Sequence, residues 1–173
     1  MKYLLAVAAG MGLSVAGLSI VPYVNVLGVM PNLLLIFAAC WAVIRGHDEA
    51  LIVVAMTGFV HDLTSTDPVG MAVLAMLPVV PLAAAVRLRA MDSDFVPAVV
   101  VVAAASLSYG VIATAVLTVT GQDTAIPASL TRIVIPSMLV NALFTPIIYL
   151  PLRWLGTPPI ARVLGPGRIR AQA

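Results

Sequence analysis

The sequence predicts an all-α integral membrane protein: about six transmembrane helices in one bundle, with both ends in the cytoplasm. Three observations lead there. The chain is poor in charge, its apolar residues gather into long stretches, and its basic residues favour one side of the alternation those stretches impose. Of 173 residues, 62% are hydrophobic and 9% charged, and the mean hydropathy is +1.12. A water-soluble domain carries about a quarter charged residues. Too few charges are present to wet such a surface, so most of it must face lipid.

Six apolar stretches follow one another, each interrupted by polar residues, Pro or Gly. They run from about Tyr3 to Val21, Pro31 to Ile44, Ala50 to Leu63, Val69 to Val86, Phe95 to Thr120 and Leu130 to Leu152. A spanning helix needs about 20 residues, so the second and third are short. Ala6-Val7-Ala8 has the small-x-small look of a cleavage site. It lies too close to Met1 to follow an apolar core, so the first stretch is expected to stay as a helix. Residues 1–155 thus read as the transmembrane domain. Residues 156–173, with Gly156-Thr157-Pro158-Pro159 and Gly165-Pro166-Gly167, read as a basic cytoplasmic tail whose arginines touch anionic headgroups.

Orientation follows from the basic residues. With the N-terminus inside, Lys2, Arg45, Arg87, Arg89, Arg153, Arg162, Arg168 and Arg170 are cytoplasmic and only Arg132 is outside. Trp41 and Trp154 fall near the inner ends of their helices, where indole rings favour the interface. A net charge of +2 and pI near 9.0 do not indicate nucleic acid, because the basic residues sit at helix ends and in the tail rather than on one face.

Small residues recur every four positions on two helices: Ala6, Gly10, Ser14 and Ala8, Gly12, Ala16 on the first, and Ser106, Gly110, Thr114 on the fifth. Such rows let backbones approach closely, the main route to helix association in a bilayer. On the fifth helix, packing within the bundle is the simpler reading. On the first, Gly10, Gly12, Ser14 and Ala16 are candidates for packing against either an internal or an external partner helix. Pro78 and Pro81 in the fourth stretch, and Pro136 and Pro146 in the sixth, each remove a backbone donor and mark irregular helices. Asn141 lies between the latter two, deep in the membrane. Either it satisfies carbonyls freed by the prolines or it bonds across to another helix. Together with Asn32 and Arg132 it makes up the candidate intramembrane polar residues.

Nothing converges as an enzyme requires. His47 and His61 lie on opposite sides of the membrane in this topology, and Asp48, Glu49, Asp92 and Asp94 sit among arginines in inner turns. Metal-ligand spacing, a phosphate loop and a nucleophile elbow are all missing from the sequence. Cys40, the single cysteine, falls in an apolar run and reads as a buried structural thiol. A non-enzymatic role without cofactor or metal is expected.

The most informative stretch joins the third and fourth apolar segments, from Gly58 to Gly70. Asp62 is the carboxylate best placed to dip below the headgroups, where it must be paired, hydrogen-bonded or neutral. Its candidate partners are His61, Arg132 and the free backbone N–H groups opening the next helix. The expectation is a structural hairpin built on Gly58, Asp62, Ser65, Pro68 and Gly70, with Asp62 as its clasp.

These residues carry a resemblance to the bacterial rod-shape-determining MreD family. That family typically starts its second helix with Pro-Asp-Leu-Leu-Leu, here Pro31-Asn32-Leu33-Leu34-Leu35, and follows it with a basic-Gly turn, here Arg45-Gly46. Next comes a Gly-x-x-x-Asp-x-x-Ser-x-x-Pro-x-Gly hairpin, matched by Gly58, Asp62, Ser65, Pro68 and Gly70. Asn32 departs from the usual acid, and the helix before Gly58 lacks a further family-like glycine. The resemblance implies a scaffold subunit of the elongation complex in the bacterial inner membrane. Its implied partners are MreC and, directly or through MreC, the glycosyltransferase RodA and a class-B penicillin-binding transpeptidase, with membrane lipids around it and no nucleic acid. It also implies an architecture similar to the S-components of energy-coupling-factor vitamin transporters. The alternative function is therefore capture of a vitamin-like solute, for which the outer segments are poor in aromatic residues: they offer little beyond Tyr23, Asn25, Asp62, Asp67, Asp123 and Arg132.

Overall fold

The computed structural model describes residues 12–13, 28–65, 67–87, 94–121 and 130–156. Helices α1 (Leu33–Arg45), α2 (His47–Thr64), α3 (Met71–Met76), α4 (Val79–Arg87), α5 (Phe95–Val119) and α6 (Ile135–Gly156) follow in order, with a π turn at Leu130–Val134 leading into α6. The first apolar stretch, apart from Gly12 and Leu13, and the tail beyond Gly156 lie outside the described residues.

At the centre stands α1. Every residue from Leu34 to Val43 is buried, so the helix meets protein on all sides, as its uniformly apolar sequence allows. Around it are Val53 and Val54 of α2, Met76 of α3, Val79 and Ala83 of α4, Val101, Val102 and Ala105 of α5, and Ile148, Tyr149 and Leu152 of α6. Thirteen residues rise about 20 Å, well short of a hydrocarbon layer of about 30 Å. By contrast, α5 and the segment Thr131–Trp154 are long and apolar enough to cross a membrane. Both leave apolar stripes uncovered: Val96, Val100, Leu107 and Val111 on α5, and Leu139, Leu143, Ile147 and Leu150 on α6. Spacings of three, four and seven keep each stripe on one helix face.

Three boundaries differ from the sequence reading. Helix α2 begins at His47, three residues before the apolar stretch, because the turn at Gly46 (φ +104°) ends α1 and immediately starts the next helix. The fourth stretch folds as two helices. Pro78 has no N–H to offer the carbonyl of Leu74, which instead accepts from Leu77 at 3.3 Å, and the chain restarts at Val79. Pro81 falls in the first turn of α4, where its missing donor would have had no intrahelical partner. In α6, Pro146 and Pro151 lie inside the helix, while Pro136 is at its start, just after the π turn. The tryptophans also separate. Trp154 is 82% exposed, but Trp41 is 6% exposed, with its ring beside Phe37 and the Arg45 guanidinium 5.4 Å from its centroid. A central helix keeps its indole inside the bundle, so only Trp154 is free to reach an interface.

Candidate functional site

Two polar constructions occupy the end of the bundle where α2 finishes and α3, α6 and the π turn begin. The first is the clasp at Asp62, whose side chain is 5% exposed. Its Oδ1 accepts from the Ala72 N–H at 2.9 Å, and its Oδ2 from the Gly70 N–H at 3.0 Å and, more loosely, the Val73 N–H at 3.5 Å. These donors open α3 and have no intrahelical partners, so the carboxylate supplies their acceptors and meets the positive end of the helix. The surrounding hairpin residues each have a physical task. Gly70 takes φ +90°, a left-handed backbone that disfavours side chains. A Cβ at Gly58 would stand 2.7 Å from the Val73 Cα, so glycine there lets α2 and α3 touch. Ser65 ends α2, donating its N–H to the His61 carbonyl at 2.9 Å, and its Oγ accepts from the Asp67 N–H at 3.4 Å. The Pro68 carbonyl accepts from the Met71 N–H at 3.0 Å.

The second construction joins α1, α5 and α6. Asn141, 2% exposed, accepts at Oδ1 from the Asn32 N–H at 2.8 Å and donates from Nδ2 to the Ser106 Oγ at 2.9 Å. The Ser106 hydroxyl in turn donates a hydrogen bond to the Val102 carbonyl at 2.7 Å. Asn32, at the N-cap of α1, accepts from the Leu35 N–H at 3.0 Å through its side chain. Of the two roles open to Asn141 in the sequence, the structure adopts the interhelical one. Asn32 thus caps α1 with an amide oxygen, which serves about as well as a carboxylate does.

Arg132 is exposed and does not join either group. Gly12 is exposed, with nothing within 4 Å of the place a Cβ would take. Gly10, Ser14 and Ala16 lie outside the described residues. The fifth-helix row faces inward: Ser106 bonds to Asn141, and a Cβ on Gly110 would stand 2.5 Å from the Val134 side chain.

Beside the Asn141 chain lies a feature the sequence did not signal, a cavity of about 500 Å³. Asn32, His61, Ser106, Tyr109, Ser137 and Asn141 border it, and Leu34, Ala113, Leu117 and Val134 supply apolar wall. Its polar members come from helices far apart in the chain, so no local motif marks it. His61 and Asp62 are neighbours on α2, yet they face different ways. Asp62 turns to α3, whereas the His61 ring approaches Tyr109, with centroids 6.2 Å apart. The His61 Nδ1 is buried without a hydrogen-bond partner among the described residues, at a cost of about 1–3 kcal/mol if nothing meets it. Also among the described residues, no three His, Cys, Asp or Glu side chains group as metal ligands would.

Comparison with protein families matches residues 4–156 to rod shape-determining protein MreD. The chain belongs to the MreD family. Comparisons with curated proteins and with solved structures returned no match. As an MreD-family protein it is a bacterial membrane protein concerned with cell shape, and its long apolar helices α5 and α6 are consistent with transmembrane segments. The hairpin that clasps Asp62 and the Asn32–Asn141 contact both lie within the matched residues.

Proposed function

We propose that this MreD-family chain is a non-enzymatic scaffold of the elongation complex, with six spans and both termini in the cytoplasm, which holds partner helices in the bilayer. The partner read first is MreC, and through it RodA and a class-B penicillin-binding transpeptidase. Membership of the family over residues 4–156 is the observation that carries this reading. Two features of the chain support it. Asp62 and Asn141, both buried, are engaged in bonds that hold helices together. Gly12 on the first helix is exposed, with open space where a Cβ would stand, as close approach by another helix requires. Nothing in the family assignment supports the vitamin-transporter alternative; the likeness to S-components enters only as the six-helix arrangement the scaffold would use.

Co-purification with MreC tests the reading. Gly12→Leu should reduce MreC recovery about tenfold while the chain stays monodisperse, since one bulky side chain blocks a small-residue contact. Gly10→Leu tests the other row. Full MreC recovery with both variants would remove the first helix from the interface. Topology has its own check. Reporters fused after Arg45, Asp67, Arg89, Asp123 and Ala173 should read inside, outside, inside, outside and inside, and a periplasmic signal at Ala173 would refute the arrangement.

A further inference from the structure

We infer that the cavity beside Asn141 is a binding site for an uncharged amphiphile, a molecule with a hydroxyl or carbonyl group at one end of an apolar body. The inference goes beyond the scaffold reading and does not depend on the identity of any partner. Size comes first: about 500 Å³ falls within the range of small-molecule sites, about 300–1,000 Å³, and far exceeds the room one bridging water needs.

Chemistry then narrows the occupant. Among the described residues lining the cavity there is no Lys, Arg, Asp or Glu. The nearest carboxylate in sequence, Asp62, is turned away and already accepts from α3. A phosphate or carboxylate headgroup would therefore enter an apolar-walled site without a countercharge, which is strongly unfavourable. Neutral polar groups are well provided for. The Asn141 Nδ2 carries two protons, and the Ser106 contact takes one of them. His61 also lines the cavity, and a ligand hydroxyl matches a ring nitrogen in either tautomer because it both donates and accepts. Leu34, Leu117 and Val134 line the same cavity and offer surface for a chain. A cavity that combines a few neutral polar groups with apolar surface suits an amphiphile better than a pool of water, each molecule of which needs two to four polar partners.

The experiment uses the full-length chain in phosphatidylcholine nanodiscs, with a diazirine-bearing monoacylglycerol as probe and a diazirine fatty acid as its anionic counterpart. The monoacylglycerol should label the 106–117 segment saturably and be displaced by unlabelled monoolein. Ala113→Phe fills the cavity without touching the Asn141 bonds and should cut labelling about tenfold, and Leu117→Trp, a second filler, should do the same if the first folds poorly. His61→Phe keeps the ring's bulk but removes its polar atoms, and should weaken labelling about fivefold. Leu143→Phe, on the exposed face of α6, should change nothing. Three results would overturn the inference: labelling that does not saturate, labelling unaffected by a well-folded filler variant, or preference for the anionic probe.

Discussion

The clasp at Asp62 and the tie at Asn141 solve the same problem with opposite means. Each holds helices together where lipid gives no hydrophobic force for association. Asp62 does so with a formal charge and three backbone donors, all within eleven residues of it along the chain. Asn141 works without charge, across separations of 109 and 35 residues. Their positions account for the difference. The start of α3 presents unsatisfied N–H groups and a positive dipole end, an environment that stabilises a carboxylate. Where α1, α5 and α6 meet, the environment is apolar, and an amide satisfies donor and acceptor together without needing a counterion. Charge is used where the backbone can neutralise it, and none is found among the described residues that line the cavity.

Removing the clasp is therefore the more damaging change. Asp62→Ala strips the acceptor from the buried Ala72 N–H and the part-buried Gly70 and Val73 N–H groups that open a six-residue helix too short to be stable on its own, and should cost about 2–4 kcal/mol. Asp62→Asn keeps one acceptor oxygen and should cost about half as much. Reversible unfolding in mixed micelles measures both. If Asp62→Ala folds as well as the parent and only loses a partner, the carboxylate belongs to an interface and the contrast between clasp and tie fails.

Sequence legibility follows the same divide. The hairpin was readable because its parts are consecutive: a carboxylate four residues after Gly58, a proline, then a glycine at a helix start. Apolar runs likewise located α5 and α6. The central position of α1 was not readable, since a lipid-facing helix and a protein-enclosed one are equally apolar, and only the burial of Leu34 to Val43 on every side separates them. Nor could the run from Val69 to Val86 reveal by hydropathy that it breaks at Pro78. The Asn141 partners and the cavity depend on which helices become neighbours, a tertiary fact with no local signature. Asn141 itself stood out as an amide in an apolar stretch, and that was the only available signal.

Breaking the tie should cost less. Asn141→Leu fits an apolar setting but orphans the Asn32 N–H and removes the bond to Ser106. Interhelical bonds in membranes contribute modestly, so the expected loss is about 1–2 kcal/mol. A double-mutant cycle of Asn141→Ala with Ser106→Ala sharpens the estimate, with a coupling of about 0.6 kcal/mol expected. Coupling near zero would mean that the 2.9 Å contact contributes nothing to folding, and would leave Asn32 as the sole energetic partner of Asn141.

The smallest effects belong to Asn32, and they separate its two contacts. Its side chain caps α1 through the Leu35 N–H, whereas its backbone N–H, not its side chain, reaches Asn141. A side-chain substitution therefore probes the cap and leaves the tie in place. Asn32→Ala should lose about 1 kcal/mol, the usual value of an N-cap. Asn32→Asp should stay within about 0.5 kcal/mol of the parent, because the carboxylate caps equally well and meets a favourable helix dipole. It would also bring the cavity wall its first charge among the described residues, so labelling by the neutral amphiphile should fall even though stability does not. Should Asn32→Asp unfold the protein more than Asn32→Ala does, the absence of charge at this position would be a requirement of the fold. The line between a charged clasp and a neutral tie would then run through α1 itself.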